Sequence, residues 1–313
     1  MRTWPGFVAL SITLVLMVAT LFFFRAEAHR GLVVVALLAG VGALAAIVLQ
    51  GMPGDSVTRH ARSTPGDDRA NSAALADLAR KLTTTDTAHR PEVVAAIGEL
   101  ADRWPAGRRR CIDALCNHLR TTPGDAAPIV RLVAAHLRKV GPTTWQGYDL
   151  DFSGAVLDTV SFARAVFAGA DISFKGASFT GQIAFDGARF CDATVDFSGA
   201  TFSGAAVDFS YATFAEASID LRRARIEDSQ VDFFAAAISR TTIDLTRATA
   251  RAESTVRFAR ALLAKVELRV GPEVREWVDL TDVRAVDVRM EGMRLPEITG
   301  QPTGWSGRDR RAM

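Results

Sequence analysis

Five aspartates, Asp196, Asp208, Asp220, Asp232 and Asp244, recur every twelve residues, each between two apolar side chains. On an extended strand such a residue points outward, so stacking of the repeat lines the five up as one or two carboxylate ladders. Two chemistries are open to them. A strip of carboxylates binds cations or imitates a run of phosphates. Alternatively, each Asp accepts hydrogen bonds from backbone N–H groups at a chain corner, as short acidic side chains do in turns. The second reading is favoured, because one row per side spreads the repulsion. Arg257 stands at the matching place further on and ends the ladder.

Other reactive side chains are few. Cys111, Cys116 and Cys191 make an odd count, which is no disulfide framework. A reducing compartment is the simpler reading. Cys111 and Cys116, five apart on a helix, point to different faces. With His118 they are the one hint of a metal, but no second ligand pair stands at zinc spacing. Arg108, Arg109 and Arg110 suit lipid headgroups or an acidic partner, or simply form a solvated helix start. All five histidines (His29, His60, His89, His118 and His136) precede the aspartate repeat. Neither a Gly-rich phosphate loop, a nucleophile elbow nor a paired-His motif is present. The expectation is a non-enzyme with no catalytic residue, cofactor or metal.

Formal charge is only +2, but it is unevenly spread. From Asp149 to Asp220 the basic residues are Arg164, Lys175 and Arg189, against ten acids. From Leu221 to Arg269 ten basic residues face six acids, opening with Arg222, Arg223 and Arg225, a candidate basic patch. An acidic half followed by a basic half gives a dipole that orients a partner or favours antiparallel self-association; ordinary solubility is the favoured explanation.

What positions these residues is a repeat. From Tyr148, large residues return every five positions: Phe152, Leu157, Phe162, Phe167 and Ile172. Ala155, Ala165 and Ala170 lie two before a large one, and Val160 breaks the series. Phe174 and Phe179 carry the pattern on. From Phe185 the spacing becomes twelve, through Phe197, Phe209, Leu221, Phe233 and Leu245. Phe190, Phe202, Phe214, Ile226 and Ile238 keep step, as do Val195, Val207, Ile219, Val231 and Ile243. A residue repeating every five stays inside only if the chain turns a corner every five, so that stacked coils bury each other's apolar faces. Small at i−2, large at i, with polar or Gly residues between, resembles the pentapeptide-repeat family over roughly 148–270. That resemblance implies a right-handed quadrilateral β-helix of about twenty residues per turn. The period of twelve instead suggests coils of about 24.

Ahead of the coil, Leu75, Leu78 and Leu82 begin a series of helical stripes. Val93, Val94, Ile97, Leu100 and Trp104 form the second; Ile112, Leu115, Cys116 and Leu119 the third; Ile129, Leu132, Val133, His136 and Leu137 the fourth. Four short helices make a small bundle or a HEAT-like pair over 70–140. Residues 51–69, rich in Gly, Pro, Ser and Asp, read as a flexible linker. Residues 6–24 and 31–49 carry no charge, and each run has about the ~20 residues a membrane span needs. They suggest a transmembrane hairpin over 1–50, with both termini cytoplasmic from the basic residues flanking it. A signal-peptidase site at Ala26-Glu27-Ala28 is the rival. After Gly271, Val286, Val288 and Met290 alternate with charges, which reads as a last strand or cap over 271–299, and 300–313 as a disordered tail.

The expected fold class is therefore mixed: two transmembrane helices, a helical module, then the β-helix. The expected function is a membrane-tethered, non-catalytic protein-binding or scaffolding module in the cell membrane. Its partners are the lipid bilayer, an unidentified protein and a possible second copy, with nucleic acid disfavoured. The alternative is a DNA-mimic regulator of an enzyme such as a topoisomerase, as in some pentapeptide-repeat proteins, against which the basic half counts.

Overall fold

The computed structural model describes residues 65–124 and 126–292. The proposed hairpin, most of the linker and the tail lie outside the described residues. Among the described residues, no helix is long and apolar enough to cross a membrane.

Four helices come first: α1 (Pro65–Thr84), α2 (Arg90–Arg103), α3 (Arg108–Thr121) and α4 (Ala126–Arg138). Helix α1 starts within the stretch read as linker. Pro65 suits a first helical position, and Asp67 and Asp68 in the first turn complement the helix dipole. Trp104 Nε1 also donates to Asp68 Oδ1 at 2.8 Å, tying this turn to the end of α2. The chain reverses between α2 and α3 through Gly107, where a Cβ would lie 2.2 Å from the Trp104 ring, so only glycine passes beneath it. His136 is the polar knot of the module. It stacks on buried Trp145 at 4.2 Å, its Nδ1 donates to the Leu132 carbonyl, and its Nε2 lies between Asp102 Oδ1 (3.1 Å) and Lys139 Nζ (2.9 Å).

A β-solenoid follows, built of short strands that pair in parallel. Leu150 stands beside Ile172, then Val195, Ile219, Ile243, Leu268 and Met290 in succession, so each turn in order advances the numbering by 22, 23, 24, 24, 25 and 22. These lengths exceed the twenty implied by the family resemblance, and the corners show why. Each of the first five turns bends at four residues with left-handed φ, as at Gly199, Gly204, Tyr211 and Glu216 before the next turn begins at Arg223. These lie five, seven, five and seven apart. A five-residue side carries one small and one large inward residue, Ala200 and Phe202. A seven-residue side adds an inward β-branched residue and an outward acid, as in Ala205, Val207, Asp208 and Phe209. The period of twelve is thus one short side plus one long side.

Val160, which broke the alanine pattern, is buried and heads a column of such β-branched residues: Ile183, Val207, Val231, Val256 and Val278. Its own side, between Thr159 and Arg164, is only five long, which accounts for the short first turn.

Every residue read as the repeat core of the coil is buried. Phenylalanines stack turn on turn, Phe162, Phe185, Phe209, Phe233 and Phe258 at ring separations of 4.7–5.1 Å and nearly parallel. Each contributes roughly 1.5–3 kcal/mol by burial. The solenoid does not stop at 270. Residues 271–292 complete another paired turn, with a 3-10 turn at Arg275–Trp277. The alternation over 286–290 is two strands broken by a corner at Asp287, because φ there is 55°.

The first coil turn would expose an unpaired strand edge. Helices α3 and α4 cover it. Arg109 reaches Asp149 at 2.9 Å, Arg120 pairs with Asp151, and Arg138 donates to the Ala163 carbonyl at 2.9 Å. One buried core runs through helices and coil.

Candidate functional site

With the interior filled by side chains, the chemistry of the coil lies on its outside, chiefly along four corners. Left-handed residues define them: the first by Gly154, Gly176, Gly199, Arg223 and Arg247, and the second by Thr159, Gly181, Gly204, Asp228 and Ala252. The third has Arg164, Gly187, Tyr211, Ala235, Arg260 and Asp282; the fourth has Gly169, Asp192, Glu216, Arg240, Lys265 and Asp287.

The five aspartates form two ladders, not one. Asp196, Asp220 and Asp244 adjoin on the side leading to the first corner; Asp208 and Asp232 adjoin on the side leading to the third. Each Oδ1 accepts the backbone N–H two residues on, from Ser198, Ser210, Arg222, Phe234 and Thr246 at 2.7–2.9 Å. The carboxylate holds the chain as it enters the bend. Arginines take what charge remains. Arg222 forks onto Asp220, Arg257 reaches Asp232 at 3.3 Å, and Arg269 lies 3.6 Å from Asp244. These arginines and the turn N–H groups meet the ladder locally, so its geometry is that of corner formation.

The candidate basic patch divides. Arg222 and Arg223 sit on the first corner, while Arg225 lies on the adjoining flat side with Nη2 3.4 Å from Thr201 Oγ1. Arg222 and Arg223 instead join Lys175 and Arg247 around a shallow groove floored by Ser198, Gly199 and Thr246. On the fourth corner Asp192 and Glu216 are stacked like charges. Burial and then Glu216 raise the Asp192 carboxyl above its ordinary value, and Arg240 offsets the pair by binding Glu216 at 2.7 Å.

The third corner carries a cluster that the repeat pattern does not predict. Phe234 occupies a slot held by Ser210 one turn before and Ala259 one turn after, and its ring lies partly on the surface. Tyr211, 65% exposed, meets it edge-on at 5.8 Å. The guanidinium groups of Arg257 and Arg260 lie 5.1 and 5.7 Å from its centroid. An exposed Tyr–Phe–Arg–Arg group has the composition of protein-recognition hot spots. Placing successive turns under one another would have found it, since an aromatic stands where its neighbours are small or polar.

The remaining candidates are built into the helical module. Burial pushes the Cys111 thiol up to about 11 and the Cys116 thiol to about 12, values that keep both protonated. Burial also raises Cys191. Among the described residues no three His, Cys, Asp or Glu side chains converge on a metal site. The arginine triplet faces three ways: Arg108 is buried and donates to the Ala101 carbonyl, Arg109 bridges Asp113 and Asp149, and Arg110 lies over the Trp104 ring.

No family model and no curated protein matches the chain. Among solved structures, QnrB1, a plasmid-mediated fluoroquinolone resistance protein, is similar at 12% identity and a TM-score of 0.18, over 47% of this chain and 79% of that one. The pentapeptide repeat protein Rfr23 from the cyanobacterium Cyanothece 51142 is similar at 11% identity and a TM-score of 0.15, over 45% and 63%. Likenesses this faint carry no argument about what the chain does; the six-turn solenoid rests on its own strand registers.

Proposed function

We propose that the protein is a membrane-tethered, non-catalytic binding or scaffolding module, held in the cell membrane by its two uncharged N-terminal runs with the coil in the cytoplasm. The observation that carries the reading is the exposed Tyr211–Phe234–Arg257–Arg260 cluster. Large aromatics are scarce on the outside of this coil, and here two meet edge-on, with two cations beside the Phe234 ring, on a rigid frame that leaves less freedom to lose on binding. A face of this kind binds another protein.

The alternative, imitation of duplex DNA, requires an uninterrupted acidic strip. Lys175, Arg222, Arg223 and Arg247 along the first corner weigh against it.

The test is photo-crosslinking in living cells from a reactive residue replacing Tyr211, with the same probe replacing Gly176 on the first corner as control. A discrete adduct from 211 that is absent from 176 and lost on Phe234→Ser supports the module. Equal background labelling from both positions would overturn it.

A further inference from the structure

The third corner has an order of outward groups that fits itself. Taking the corner residue of each turn or, where that is Gly187 or Ala235, the larger side chain just before it, the corner presents Arg164, Asp186, Tyr211, Phe234, Arg260 and Asp282 row by row along the six turns. All four charged members lack an ion pair among the described residues, whereas Asp208, Asp232 and Arg257 beside them are engaged locally. The order is positive, negative, aromatic, aromatic, positive, negative.

Turned end for end and laid against itself, this series is complementary at every row. Arg164 meets Asp282, Asp186 meets Arg260, and Tyr211 meets Phe234, then the same pairs again in reverse. Laid side by side in the same direction, every row meets its own kind, and like charges face each other at four rows of six. The rows are spaced by stacked strands, about 4.8 Å apart in any copy, so the register fits without distortion. Residue i meeting j while j meets i is the signature of an isologous two-fold interface.

The geometry points to a second copy of this chain as an occupant of the third corner, paired antiparallel about a two-fold axis between the third and fourth turns. This deepens the reading of that corner as a binding face and rests on it. Six rows span about 24 Å. One corner of that length buries far less than a stable interface, which needs roughly 1200–2000 Å², so the pairing is weak in free solution. Confinement of both copies to one membrane supplies the effective concentration it needs.

The experiment uses the full chain in native membranes with Cys191→Ser as background. Two chains, one carrying Arg164→Cys and the other Asp282→Cys, are co-expressed and oxidised. A covalent dimer of the mixed pair, stronger than either variant alone, is expected. A second arm measures dimer fraction by bifunctional crosslinking. Arg260→Glu lowers it roughly tenfold, since each dimer contains the pair twice. Adding Asp186→Lys to Arg260→Glu restores it, while unchanged thermal unfolding of the variants shows that the fold is intact.

Absence of a wild-type dimer, a disulfide stronger in Arg164→Cys alone than in the mixed pair, or no loss on Arg260→Glu would each sink the proposal. If the dimer fails but a photo-adduct to another protein still forms at position 211, the corner binds a heterologous partner and only self-recognition falls. If both fail, the binding reading falls with it.

Discussion

Before Tyr211 the coil bends at ten left-handed residues, and seven of them are glycine; from Tyr211 to Asp287 it bends at twelve, and none is. The interior changes in parallel. Phe152, Phe174 and Phe197 stack beneath the first corner and give way to Leu221 and Leu245, and Phe167, Phe190 and Phe214 give way to Ile238 and Leu263. The early half combines a large aromatic core with bare corners. The late half has a leaner core and side chains at these bends, each non-glycine bend costing about 1–3 kcal/mol of backbone strain. Five of those twelve bends are Arg or Lys, so half of the ten basic residues between Leu221 and Arg269 sit at corners. The fold tolerates strain in the late half, and in exchange that half can display side chains.

The sharpest way to break this comparison is to empty the core in each half. Phe209→Ala removes a ring stacked on Phe185 and Phe233 at 4.7 and 4.8 Å and should cost about 3–5 kcal/mol. Leu245→Ala should cost less, about 2–4 kcal/mol, with urea unfolding as the measurement. Equal losses would mean that the late half is as tightly held as the early one.

Next come the corners. At Gly181, φ is 65° and a Cβ would lie 2.5 Å from both Asp158 Oδ1 and Thr159 Oγ1, so Gly181→Ala should cost about 1–3 kcal/mol. Ala252→Gly, on the same corner in the late half, should instead raise the melting temperature, by no more than about 1 kcal/mol of stability. Opposite signs on one corner would establish that the strain is real and one-sided.

The ladders give a smaller effect. Asp208→Ala loses the bond from the Ser210 N–H and should cost about 1 kcal/mol. Asp208→Asn keeps an acceptor and should be within about 0.5 kcal/mol of wild type. At Asp232 the Asn variant also loses Arg257, which adds less than about 1 kcal/mol for an exposed pair. An Asn variant as damaging as Ala at position 208 would favour a role for the charge itself.

Acid should separate the carboxylates by sign. The Asp171 N–H and then Arg109 hold Asp149 below 3.8, and the Thr281 hydroxyl leads in holding Asp279 below it. Their folded values are depressed, so their stabilisation is full above 3.8 and is lost as pH falls through the folded values. Asp192 is raised, so its contribution runs the other way, being most favourable below 3.8 and weakening as pH rises. Asp192→Asn should therefore gain stability over wild type at neutral pH, with the gain fading below about pH 4 in a titration followed by thermal unfolding.

The sequence made the core legible because burial imposes a strict period: Phe152 to Leu245 could be read off by counting. The ladder aspartates were visible for the same reason, and their local acceptor role was the favoured one. The alternation of five and seven was hidden inside the period of twelve, since counting large residues does not mark where the backbone bends. Phe234 escaped because it adjoins Phe233 and the pair looks like one apolar patch until the corner sends the two rings to opposite sides. Arg108, Arg109 and Arg110 looked like a single charged surface. Successive helical residues point about 100° apart, and only the packing of α3 decides that the first is buried. Helix α1 reached back into the apparent linker because Trp104, far along the chain, supplies its first turn with a partner.

The side between the second and third corners widens along the coil, from Thr159–Arg164 through Gly204–Tyr211 to Ala252–Arg260, while the columns on either side stay in register. Whole turns are interchangeable in the same sense. Copying 200–223 once more would add one complete turn and advance every later column by one row. The coil is then a ruler graduated at about 4.8 Å per turn, and the distance from the helical module to the far end scales with the number of turns.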